Sequence, residues 1–153
     1  NILLNYSKKM LAEVCVIITT IIIDIILIWI LMNDELLYYE RVSIYFLFIV
    51  HFLLFVFYFI NYSCGIDILH IIYSLFMLFG LLYESVAILG LIAIILIWNL
   101  IIWVLFIKCP MGKFDACNDF IKETSSLFSR TEYVILLLIL YFTKIALKIK
   151  KIL

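Results

Sequence analysis

The chain has 153 residues, of which 69% are hydrophobic and 14% charged, with a formal net charge of zero and a mean hydropathy of +1.31. A water-soluble domain carries roughly 45–50% apolar and about 25% charged residues, and a core of this size cannot hide such an excess. Lipid must therefore solvate most of the chain, and its neutrality gives no electrostatic basis for binding nucleic acid.

Chain breakers are scarce, with 4 glycines and 1 proline. Long apolar runs without breakers become helices in a bilayer, because a helix satisfies its own backbone hydrogen bonds within one segment. A transmembrane barrel would need alternating polar and apolar residues, and the run 88–105 does not alternate. A spanning helix needs about 20 mostly apolar residues. The first such stretch, 11–32, holds Glu13 near its start and Asp24 inside. Residue 1 is Asn rather than Met, so the sequence leaves its true start open. Lys8 and Lys9 precede the apolar run as in a signal-anchor, and no small-residue cleavage site follows, so the run reads as a retained helix.

The second stretch, 42–60, holds His51. The third, 66–83, holds Asp67 and His70 near its start, and the fourth, 86–107, has Asn99 as its most polar member. The connections 33–41, 61–65 and Glu84-Ser85 are short, which forces antiparallel neighbours in one up-and-down bundle. Residues 108–132 form a polar connector in which 118–127 suits a short interfacial helix. A fifth apolar stretch, 133–147, contains Lys144 and leads into Lys148, Lys150 and Lys151. The expected fold is thus all-α: a single transmembrane domain with four antiparallel spanning helices plus a fifth helix, interfacial or spanning.

Basic residues bear on that last choice. With four crossings, ten of the 11 Lys and Arg residues share one side and Arg41 stands alone on the other. The positive-inside rule favours that split, and with it an interface-bound or partly inserted tail. The wholly apolar run 134–142 favours a fifth crossing, with Lys144 snorkelling to the nearer interface.

Asp24 and His51 are the sharpest polar feature. Asp24 precedes the end of the first stretch by 8 residues, and His51 follows the start of the second by 9. At about 1.5 Å per residue, both lie about 12–14 Å from the same face of a helical hairpin. A carboxylate at mid-bilayer is costly alone, so the two are expected to pair inside the protein. The pair reads first as a clamp between helices and second as a step in a proton path, since histidine titrates near neutral pH. His70 stands roughly 10 Å from His51 in depth by the same rise, which disfavours a bis-histidine haem.

Four cysteines are present. Cys15 reads as a small buried residue inside the first helix. Cys64, Cys109 and Cys117 fall near one face, where three thiols and an imidazole could hold zinc. No CxxC spacing supports that site, and thiols on the basic side stay reduced, so free thiols are expected. No Gly-rich phosphate loop, HExxH or GxSxG occurs. The expectation is no catalytic residue, no metal and no cofactor.

The segment Asp67-Ile68-Leu69-His70-Ile71-Ile72-Tyr73, with Gly80, Trp98 and Lys108-Cys109-Pro110-Met111-Gly112-Lys113-Phe114-Asp115, resembles small polytopic membrane proteins of large DNA viruses. Those proteins carry a His-led helix, a hairpin and a Cys-x-Leu-Thr-x-x-Glu-like segment. Here Met111-Gly112 stands at Leu-Thr and Asp115 at Glu, and the likeness covers about a third of the chain. The resemblance implies a membrane location and no established activity. The chain is also similar in general look to organelle-encoded respiratory-complex subunits. The run from Leu75 to Glu84 resembles the Gly-Leu-Glu helix of a small proton-pumping subunit, with the Glu displaced by two residues.

The leading expectation is a non-catalytic structural or accessory protein of a larger membrane assembly: a respiratory complex, an ATP synthase or a virion membrane layer. Its partners would be the lipid bilayer and other membrane subunits. Its place would be the mitochondrial inner membrane or a virion or host internal membrane. One alternative is a proton-conducting or small-solute transport subunit using Asp24 and His51, in which Asp24→Asn abolishes flux while assembly survives. The other is a thiol-redox membrane enzyme using Cys64, Cys109 and Cys117.

Overall fold

A computed structural model describes residues 2–106, 119–128 and 130–152. The described residues are helical nearly throughout. The helices are α1 (Ile2–Asn33), α2 (Tyr38–Phe59), α3 (Ser63–Phe79), α4 (Val86–Phe106), α5 (Asp119–Phe128) and α6 (Thr131–Ile152), with a single 3-10 turn, Gly80–Leu82, closing α3. Among the described residues, three segments are long and apolar enough to cross a membrane: Glu13–Asn33, Tyr38–Phe59 and Ser63–Leu82. The described apolar part of α4 is Val86–Ile102.

Helix order follows from the short turns. At the α2–α3 turn, Asn61 adopts φ 55°. That left-handed conformation suits Asn better than a branched residue, and it lets Tyr62 N donate to Phe57 O at 2.9 Å. We call this end of the bundle, where α3 begins, the Cys64 end. The opposite end holds the α1–α2 turn and the Gly80–Ser85 turn, and we call it the clasp end.

The expected helix starts shift in one informative place. α2 begins at Tyr38, four residues before the apolar stretch at 42. Its first turn, Tyr38-Tyr39-Glu40-Arg41, is amphipathic, and Glu40 is buried at 1% exposure. Glu40 Oε2 accepts from the Leu37 backbone N–H at 2.9 Å, the acidic half of a capping box. A carboxylate there also complements the positive end of the helix dipole.

The last helix corrects the charge argument. Along α6, the Tyr133 hydroxyl donates to Ser74 O at 3.1 Å and the Tyr141 hydroxyl to Met77 O at 2.5 Å. Lys144 Nζ then donates to Leu81 O at 2.5 Å and Lys148 Nζ to Glu84 O at 2.6 Å. The ordered partners show that α6 rises parallel to α3 and antiparallel to α4, packed into the bundle rather than laid across its end. Lys144 and Lys148 therefore stand at the clasp end with Arg41, and the ten-to-one division of basic residues does not hold. The sidedness of the lysines favours an interfacial tail, while the wholly apolar run 134–142 favours a tail within the bundle. The helix gains more from burying Val134, Leu137 and Tyr141 against α3 and α4.

The core is apolar. Ile23, Leu27, Ile30, Ile44, Leu47, Met77, Leu89, Ile92 and Leu137 form one buried cluster. Gly80 makes its densest crossing possible. A Cβ built there would overlap the Tyr141 hydroxyl and lie 2.7 Å from Ile92 Cδ1. Gly80 has ordinary helical φ −57°, so it is needed for space and not for conformation. The outer faces of α1 and α2 are apolar too, with Ile25, Trp29, Ile49 and Phe52 all exposed.

Candidate functional site

Two polar centres stand out, one inside the bundle and one at its clasp end.

The inner centre joins Asp24 of α1 to His51 of α2. His51 Nδ1–H donates to Asp24 Oδ1 at 2.5 Å. His51 is 2% exposed, while the Asp24 side chain is partly exposed. The two meet because the helical rise fixes depth in a hairpin with a short turn. Behind the imidazole lies Tyr73 of α3, with ring centroids 5.9 Å apart and planes tilted by 42°.

A cavity of about 40 Å³ opens beside His51, lined by Thr19, Thr20, Tyr73, Trp98 and Asn99 among others. Trp98 Nε1 donates to Thr19 Oγ1 at 3.0 Å, which ties α4 to α1, and Thr19 Oγ1 in turn donates to Cys15 O at 2.7 Å. Asn99, the most polar residue of the fourth apolar stretch, does face this cavity, whereas Tyr73 and the Thr19–Trp98 bridge were not foreseen. Tyr73 carried a usable signal: it follows Asp67 and His70 at three-residue steps, which places all three near one face of a helix. A cavity for an organic substrate measures about 300–1,000 Å³. This one has room for a few waters at most.

The clasp-end centre was not foreseen. Glu40 Oε1 accepts from the backbone N–H groups of Glu84 at 2.6 Å and Ser85 at 2.8 Å, in addition to the Leu37 bond at Oε2. One buried carboxylate thus fastens the α1–α2 turn to the α3–α4 turn. Ser85 Oγ donates to Asp34 Oδ2 at 3.2 Å and accepts from Ile88 N at 3.3 Å, capping α4. The Tyr39 hydroxyl adds a bond to Leu82 O at 3.1 Å. Glu84 lies in the short connection between α3 and α4. Its side chain is exposed but forms a close ion pair with Lys148. The Lys148 hydrogen bond and charge hold its carboxyl below the ordinary value of 4.5.

The proposed thiol cluster divides. Cys15 is a free thiol, as expected. Cys64 is disulfide-bonded, which corrects the expectation of free thiols at that position. Cys109 and Cys117 lie outside the described residues, as does the virus-like segment from Lys108 to Asp115. Among the described residues, no group of three His, Cys, Asp or Glu side chains comes together as a metal site.

No protein-family model, curated protein or solved structure matches the chain.

Proposed function

We propose that this chain is an integral membrane protein serving as a non-catalytic structural or accessory component of a larger membrane assembly. In this reading α1–α4 cross the bilayer, and α6, entered through α5, completes a fifth leg that delivers Lys144 and Lys148 to the clasp-end face. The ordered bonds from α6 to Ser74, Met77, Leu81 and Glu84 support that fifth leg. The membranes in view are the mitochondrial inner membrane and a virion or host internal membrane.

One observation carries the functional reading: polar side chains tie the helices to one another while the outer faces stay apolar. Asp24 ends on His51, Trp98 on Thr19, Tyr141 on Met77 and Glu40 on two turns. Meanwhile Ile25, Trp29, Ile49, Phe52, Leu136 and Ile139 face outward. Lipid and the apolar helices of neighbouring subunits solvate such faces equally well, so the bundle can be built into an assembly without special grooves. Cross-linking with mass spectrometry in native membranes tests the proposal. Reproducible cross-links to the same membrane proteins are expected. Recovery as a solitary monomer from native membranes, extracted in mild detergent, would overturn it.

A further inference from the structure

We infer that the outer face of the α1–α2 hairpin at Asp24 receives a transmembrane helix of another protein, one that carries a lysine or arginine near the middle of its span. The inference rests on the assembly reading and names the partner's chemistry and the face it meets.

The face is set by where Asp24 stands. It lies within about one residue of the middle of the span Glu13–Asn33, and so near mid-bilayer. His51 Nδ1–H engages only Oδ1. Oδ2 accepts from no described residue, and the Asp24 side chain keeps 23% exposure. Asp24 lines neither of the two interior cavities, so that exposure opens outward. Ile21 and Ile28, about one turn to either side of Asp24 on the same face of α1, are exposed as well. So is Phe52, next to His51 on α2. The surface is thus a carboxylate oxygen in an apolar surround. α1 and α2 also leave room for a neighbour, since 28% of the apolar span of each is buried, against 50% in α3.

Charge selects the occupant. With a neutral imidazole donating to it, the Asp24–His51 pair carries one net negative charge. A charge at the centre of a membrane span is costly in lipid and usually pairs with an opposite charge. This chain does not supply that charge. No lysine or arginine occurs between residues 10 and 40 or between 42 and 107. Arg41 stands in the first turn of α2, about 15 Å along the axis from His51, and donates to Leu36 O. Lys144 donates to Leu81 O at the clasp end. A second copy of this chain would bring another Asp24 rather than a cation, and lipid tails bring no donor. A single lysine or arginine on a partner helix neutralises the pair and donates to Oδ2, while His51 keeps Oδ1. Leu136 and Ile139 on the outer face of α6 make no such demand and accept lipid or protein alike.

The test uses the full chain in native membranes, with photoreactive p-benzoylphenylalanine placed at Ile21, at Ile28 or, on a control face, at Ile139. Mass spectrometry reads the cross-linked peptides. From Ile21 and Ile28 the expected product is one partner protein, joined within about two helical turns of a lysine or arginine inside its apolar span. Asp24→Asn, which removes the charge and keeps the shape, should lower that yield by about tenfold or more. Protein cross-links from Ile139 alone would leave the assembly reading standing and overturn the inference. So would products from Ile21 and Ile28 that join two copies of this chain, that contain only lipid, or whose partner span holds no basic residue. An unchanged yield from a folded Asp24→Asn variant would overturn it too. If that variant fails to fold, the identity of the span cross-linked to the chain with Asp24 intact decides alone. Absence of protein cross-links from all three positions would instead remove the assembly reading, and the inference with it.

Discussion

The Asp24–His51 pair and the Glu40 clasp are both buried acids, yet they are held in opposite ways. Asp24 meets one side chain across a helical hairpin. Glu40 meets three backbone N–H groups from two different turns. Side chains on two regular helices can slide or rotate together with little loss. Three fixed amides around one carboxylate allow a single arrangement of two turns. The comparison teaches that the clasp fixes two turns against each other, whereas the inner pair fixes the register of one hairpin.

The strongest challenge to this ranking is Glu40→Ala. It removes a buried charged partner from three amides and should cost about 3–5 kcal/mol. The loss would appear as a fall in the thermal midpoint in detergent. Glu40→Gln keeps one acceptor oxygen and should recover part of the loss. Equal damage from both would mean that the charge, rather than the geometry, secures the turns.

Next comes Gly80→Ala, expected to cost about 1–3 kcal/mol by overpacking against Tyr141 and Ile92. Tyr141→Phe removes the hydroxyl that would overlap the new methyl. The double variant should therefore lose less than the sum of its parts, as read in a double-mutant cycle. Strict additivity would place the crowding elsewhere.

For the inner pair, a cycle of Asp24→Asn with His51→Gln should give a coupling of about 0.6–1.7 kcal/mol, the usual range for hydrogen bonds between membrane helices. A coupling larger than the loss from Glu40→Ala would reverse the comparison.

The smallest effect belongs to Glu84 and Lys148. The folded-state value of the Glu84 carboxyl lies below 4.5, so the pair's contribution is present above that pH and fades as the pH falls through the lowered value. Because Glu84 is exposed, the change should be slight. Lys148→Met should flatten the acid limb of the thermal midpoint measured between pH 5 and 3. An unchanged limb would show that the ion pair adds nothing to the backbone bond from Lys148 to Glu84 O.

How far each centre could be read in advance follows from its local geometry. The Asp24–His51 contact was legible because depth in a helix is a count of residues at a fixed rise. It survived an extension of α2 by four residues at its start, since both helices still run antiparallel from one turn. Glu40 was assigned to a loop because the apolar run begins only at Val42. The amphipathic first turn, Tyr38 to Arg41, was the missed signal. Even with that signal, its partners could not have been named. Glu84 and Ser85 lie 44 and 45 residues away, and no periodicity links a turn to a second turn.

By itself the sequence determined that the chain is helical and mostly apolar, and the depth of each polar residue within its segment. Those properties depend on composition, the scarcity of breakers and the helical rise, all of which are local. Only the tertiary structure decided that α6 packs between α3 and α4 with its lysines at Arg41's end. Only it joined two turns through Glu40, and brought Asn99 of α4 to the same cavity as His70 and Tyr73 of α3. These arrangements depend on which apolar faces bury one another. For helices apolar nearly all round, that choice rests on side-chain shape and on a few spaces such as the one left by Gly80, and neither is written in hydrophobicity alone.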